Sequence, residues 1–116
     1  KLGRSVNSHL AAEAHTLHAP ELLGVEITSV LRRLLRVGEI DLKVARRVHG
    51  DLEALGVETY EHGPLLPRVL ALRNSLTAYD ACYVALAEGL RAELLTCDAK
   101  LAAAHGHRAR VRVIEL

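Results

Sequence analysis

Three carboxylates carry the sharpest chemistry in this chain: Glu26, Asp80 and Asp98. Glu26 falls three residues after Leu23 and four before Val30, on the flank of an apolar helical stripe. A carboxylate there is partly buried and needs a cation, a partner or a proton. The plain alternative is a salt bridge to Arg33 or Arg68. Asp80 stands in the first turn of a helix whose next seven residues, Ala81 to Ala87, are apolar all round. Thr77-Ala-Tyr-Asp80 also reads as a capping box with Asp in place of Glu or Gln, and an acid suits that end of the helix dipole. Asp98 follows Leu94-Leu-Thr-Cys and precedes a helix at residue 99, where a simple N-cap would also explain it.

The elements that must position these acids can be read from the spacing. Leu2, Val6, Leu10 and Ala14 predict a helix over residues 2–14. Thr16–Ala19 is a candidate strand, with Pro20 a first-turn residue of the next helix. Leu23, Ile27, Val30, Leu31 and Leu34 make one face of that helix, which runs to about Val37 and stops at Gly38. Asp41 is expected to cap a helix over residues 42–54 that Gly56 ends. A strand at Val57–Tyr60 and a short helix over residues 65–74 follow, with Pro67 in the latter's first turn. Thr77 opens a helix to Leu90. Glu93–Cys97 is a strand, Ala99–His105 a helix and Val111–Ile114 a last strand.

Short strands alternating with helices predict βαβ units and a parallel sheet covered by helices on both faces. Sites in such folds gather at the edge where strands have their C-termini and helices their N-termini. Glu26, Asp80 and Asp98 all belong to that edge. Converging carboxylates repel one another, and a divalent cation relieves the repulsion. Oxygen-only donors select Mg²⁺ or Mn²⁺, and such ions activate water against a phosphodiester.

Composition narrows the remaining classes. The chain has 116 residues, 50% hydrophobic and 25% charged, with 15 Lys+Arg against 14 Asp+Glu. That suits one domain with its own core, and a net charge of +1 excludes wholesale electrostatic binding to nucleic acid but not a local site. No apolar run approaches the ~20 residues of a membrane span. Two cysteines, Cys82 and Cys97, are too few for a secreted disulfide scaffold and read as free thiols in the cytoplasm. His105-Gly-His107 has no acidic partner beside it and reads as surface. Phe and Trp are absent, which leaves only three Tyr to stack on bases. Arg32, Arg33, Arg36, Arg46 and Arg47 form either a solvated helix face or a rim for an RNA backbone or an acidic partner. Arg73 is the best-placed phosphate contact near the Asp80 segment. Lys1 is not the small residue that removal of an initiating Met requires, so the natural N-terminus is expected upstream.

The segments His18-Ala-Pro-Glu-Leu-Leu-Gly-Val-Glu26, Leu76-Thr-Ala-Tyr-Asp80-Ala-Cys-Tyr-Val-Ala-Leu-Ala-Glu88 and Leu94-Leu-Thr-Cys-Asp98-Ala-Lys-Leu101 resemble those of PIN-domain ribonucleases, specifically the VapC toxins of toxin–antitoxin pairs. The likeness covers essentially the whole chain. It implies a three-layer α/β/α sandwich around a parallel sheet, with residues 1–116 a single PIN domain. It also implies that the domain is incomplete at its N-terminus, because the family's central first strand, which ends in a catalytic Asp, is missing. The activity implied is Mg²⁺- or Mn²⁺-dependent endoribonuclease cleavage of tRNA or rRNA. Glu26, Asp80 and Asp98 would be the catalytic and metal-binding acids, with Thr96 orienting a ligand or water. A homodimer and a cognate VapB-like antitoxin blocking the site are implied as well. Without the missing strand and its Asp, the stretch shown would not complete the catalytic site. A non-catalytic PIN-like module that binds antitoxin or RNA is the alternative, and a small α/β phosphate-binding domain a more remote one.

Overall fold

The computed structural model describes residues 16–114. The helix expected over residues 2–14 lies outside them. The order is β1 (His18–Pro20), α1 (Leu22–Arg36), α2 (Leu42–Ala54), β2 (Glu58–Tyr60), a 3₁₀ turn (Gly63–Leu65), α3 (Leu66–Ala71), α4 (Ala78–Leu90), β3 (Glu93–Thr96), α5 (Ala99–Ala103) and β4 (Arg110–Val113). The protein is therefore mixed α/β, with short parallel strands and five α-helices among the described residues.

Pro20 does not open the first helix. It is almost fully buried and ends β1 opposite Tyr60. The fixed φ of proline suits an extended residue as well as a helical one. The helix start is held instead by two groups from the β2 side. Glu21 N–H donates to the Tyr60 carbonyl at 2.9 Å, and Leu22 N–H donates to His62 Nε2 at 3.1 Å. His62 thus satisfies a helix-end donor that no local side chain caps. At the other end Gly38 takes a positive φ of 78°, and Glu39 N–H returns to the Leu34 carbonyl at 2.9 Å. That left-handed residue reverses the chain into α2, which Asp41 caps through a 2.9 Å bond from Val44 N–H.

α3 is shorter than the expected 65–74 helix. It ends at Ala71, and the following turns are closed by Ser75 N–H on the Leu72 carbonyl at 3.1 Å. α4 is the centre of the molecule. Ala81, Cys82, Val84, Ala85, Leu86 and Ala87 are all buried, as an all-round apolar helix must be. Ala81 and Val84 join Leu72 and Leu101 in the core, with Val69, Leu76, Leu94 and Ala109 packed around them.

Among the described residues the strands form two parallel pairs rather than one continuous sheet. β1 pairs with β2, His18 opposite Glu58, and β3 pairs with β4, Glu93 opposite Arg110. β1 and β3 are not hydrogen-bonded to each other. α4 packs on both and joins the two pairs.

Candidate functional site

α4 sets one wall of the site. Thr77 is its N-cap, and its hydroxyl accepts from Asp80 N–H at 3.2 Å. Only this half of the expected capping box forms, because the Asp80 carboxylate makes no hydrogen bond among the described residues. It is half-buried and held by backbone alone. One turn further along, Tyr83 reaches from α4 to α1, where its hydroxyl donates to Glu26 Oε1 at 2.5 Å. Glu26 is also half-buried. Neither Arg33 nor Arg68 pairs with it. Arg68 is committed elsewhere, and the Tyr83 phenol supplies the partner in a cation's place.

The electrostatics join the two acids. Burial pushes the Tyr83 phenol far above its ordinary range, the hydrogen bond to Glu26 pushes it further, and the Glu26, Cys82 and Asp80 charges add to this. Tyr83 is therefore a permanent donor, and it feels both carboxylates. The Cys82 thiol is raised as well, first by burial and then by Glu26. This makes it an unreactive core group. Both cysteines are free, Cys82 buried and Cys97 exposed.

Asp98 follows the C-terminal end of β3 and caps α5. Its Oδ1 accepts from Lys100 N–H at 2.9 Å, and its own N–H donates to Thr96 Oγ1 at 3.1 Å. Thr96 therefore orients the Asp98 backbone. Asp98 is exposed, and among the described residues no three His, Cys, Asp or Glu side chains lie close enough together to hold a metal ion. Arg73 is exposed and folds back on its own segment, with Nη1 donating to the Leu70 carbonyl at 3.3 Å. His107 Nδ1 accepts from Ala109 N–H at 3.2 Å.

Oxygen is the only donor type the two neighbouring acids offer. Glu26 Oε2 and the Asp80 carboxylate have no hydrogen-bond partner among the described residues, and a hard divalent cation suits such a donor set.

Two contacts were not foreseen from the sequence. One is the Tyr83–Glu26 bond, for which the signal was a single phenol inside the apolar run, since a buried Tyr hydroxyl needs a partner. The other anchors the far end of α4. The Glu88 carboxylate accepts from Arg68 Nε at 2.7 Å, from Arg68 Nη2 at 3.0 Å and from Arg108 N–H at 2.7 Å. Arg68 Nη2 also donates to the Gly106 carbonyl at 3.0 Å. This fork fixes α4 against α3 and the loop before β4, and so fixes the helix that carries Asp80.

Comparison with known proteins agrees with this architecture. Residues 4–106 match the family described as PIN domain. Ribonuclease VapC12 of Mycobacterium tuberculosis is 35% identical over 112 residues, covering 97% of this chain and 85% of the relative. Ribonuclease VapC1 of the same organism is 40% identical over 98 residues, 84% of this chain and 74% of the relative. Ribonuclease VapC3 of Pyrobaculum aerophilum is 35% identical over 95 residues, 78% and 72% of the two chains.

Proposed function

The chain belongs to the PIN-domain family and is homologous to VapC ribonucleases, and from that premise we propose that it is a metal-dependent endoribonuclease toxin of the VapC type, restrained by a cognate antitoxin in the cytoplasm. The observation that carries the proposal is the pair of half-buried carboxylates, Glu26 on α1 and Asp80 on α4, with the Tyr83 phenol between the helices. No helix among the described residues is long and apolar enough to cross a membrane.

In this reading residues 1–116 form a single PIN domain. The two strand pairs are parts of one parallel sheet in a three-layer sandwich. Glu26, Asp80 and Asp98 would hold Mg²⁺ or Mn²⁺, which supplies polarisation of the phosphodiester and activation of water. Tyr83 fixes one oxygen of Glu26 and leaves Oε2 for the site. The Thr77 cap sets the helix start from which Asp80 projects. Thr96 holds the turn that carries Asp98. Arg73, exposed on the approach to α4, would contact substrate phosphate.

The substrate class is tRNA or rRNA and the working form a homodimer. The antitoxin would offer an Arg or Lys to the acids, gaining charge-assisted hydrogen bonds and competing with the cation for the same oxygens. Calorimetric titration with Mn²⁺ of the protein made from its complete reading frame tests the ligand set. Asp98→Asn should weaken binding strongly. Unchanged affinity in that variant would reduce Asp98 to a helix cap. A protein that binds RNA and antitoxin with all acids intact, yet never cleaves, would be an interaction module instead.

A further inference from the structure

We infer that the hairpin of α1 and α2 is a docking surface for the phosphate backbone of RNA. The inference rests on the ribonuclease reading and deepens it by locating where the substrate lies beyond the acidic site. Arg32, Arg33 and Arg36 on α1, and Lys43, Arg46 and Arg47 on α2, are all exposed. At 100° per residue each trio spans about a 100° arc of its own helix, so each forms one ridge. The two helices pack together across the turn at Gly38. Between Arg32 and Arg47 these six cations face only two acids, Glu39 and Asp41, a surplus of four charges in a chain whose net charge is +1. None of the six pairs with a carboxylate among the described residues. An unpaired concentration of this kind is not needed to stabilise a surface helix, whose opposite charges usually alternate.

The chemistry of the ridge favours phosphate. Five of the six cations are Arg, whose planar fork matches phosphate oxygens two at a time. An open groove of about 550 Å³ lies along α1, lined by Thr28, Ser29, Arg32 and His49, with the acidic Glu21 on its wall. There the Thr28 hydroxyl and His49 Nε2 bond each other at 2.9 Å, which leaves the Ser29 hydroxyl as the further polar group near the guanidinium. The ridge is also continuous with the acidic site. Glu26, Val30 and Arg33 follow i, i+4, i+7 spacing along α1, which sets Arg33 on the stripe of Glu26 and about 10 Å further along the axis. A polyanion engaged at Glu26 can extend along this stripe to Arg33 and then over α2. An acidic protein surface is the competing occupant, but it does not supply a regular row of charges along two helices.

The test uses the protein from its complete reading frame, kept in EDTA so that no cleavage occurs. Binding of a fluorescein-labelled 20-nucleotide single-stranded RNA and of labelled total tRNA is followed by anisotropy across a salt series. Arg33→Gln/Arg46→Gln/Arg47→Gln removes three exposed cations, and circular dichroism checks its fold. The triple variant should bind at least about tenfold more weakly near 0.1 M salt. Its slope of log affinity against log salt should be shallower by about 2, from roughly 0.7 per lost single-strand phosphate contact. The matching triple Lys variant should keep most of the slope, and Arg110→Gln, on β4, should change neither quantity. If the wild-type protein binds RNA and the triple Gln variant matches it in affinity and slope, the docking surface is refuted while the ribonuclease reading stands. If the wild-type protein binds neither RNA, the docking surface is refuted, and cleavage of RNA with Mn²⁺ decides the ribonuclease reading separately. RNA binding that survives in the triple variant while antitoxin binding is lost would assign the ridge to an acidic protein instead.

Discussion

Replacing Arg68 by Ala removes the cation that faces the Glu88 carboxylate. The Glu88 side chain is only 6% exposed, whereas that of Arg68 is 34% exposed. Breaking a fully buried pair by deleting one partner costs ~3–5 kcal/mol, because the other charge is left unpaired. Here Arg108 N–H still donates to Glu88 and the gap left by Arg68 opens toward water, so the cost falls to about 2–3 kcal/mol. For a domain of this size that is a drop of roughly 8–12 °C in melting temperature. The pH dependence has a definite sign. The Arg68 hydrogen bond, chiefly, and the Arg108 amide hold the Glu88 carboxyl below its ordinary value of 4.5, against its burial. The stability this contributes is complete above pH 4.5 and is lost as pH falls through the lower folded value. In Arg68→Ala the same carboxyl is buried without its cation, so acid relieves rather than harms it. Thermal melts of both proteins should therefore show a wide gap at pH 7 that narrows below about pH 4. A gap that stays constant from pH 7 to pH 3.5, or one under about 0.5 kcal/mol at pH 7, would refute this account of how α4 is anchored.

Two further substitutions probe the positioning of the acids. Tyr83→Phe removes a bond to a charged group and should cost about 1.5–3 kcal/mol of stability; it should also weaken Mn²⁺ binding in calorimetry, and an unchanged affinity would make the bond a tie between α1 and α4 alone. Asp41→Ala removes the α2 cap and should lower stability by about 1 kcal/mol in urea unfolding, with RNA affinity changed little beyond the effect of one lost charge.

Local chemistry was the most legible part of the sequence. The Asp41 and Thr77 caps lie within three residues of the amides they bind, and the Ala81–Ala87 run requires burial whatever the rest of the chain does. Pairings that cross the chain were not legible in the same way. Glu26 needed a partner, but the one it takes is Tyr83, 57 residues later. The cation proposed for it, Arg68, serves Glu88 instead, since a charge beside a buried helix face demands the stronger partner. The alternation of strands and helices announced parallel pairing. Which strands pair depends on packing, and β1 meets β2 forty residues away while leaving β3 to β4. For Asp98 both readings from the sequence remain relevant, because its carboxylate does cap α5. Its share in a metal site rests on the family's motif.

The central claim is that Asp80 serves chemistry more than structure. Asn is also acceptable near a helix start, so Asp80→Asn should change stability by no more than ~1 kcal/mol. RNA cleavage with Mg²⁺ or Mn²⁺, measured per folded molecule on the protein from its complete reading frame, is the direct measurement. The account predicts cleavage by the wild-type protein and a loss of at least about a hundredfold in Asp80→Asn. A stably folded Asp80→Asn protein that cleaves RNA as fast as the wild type would contradict it.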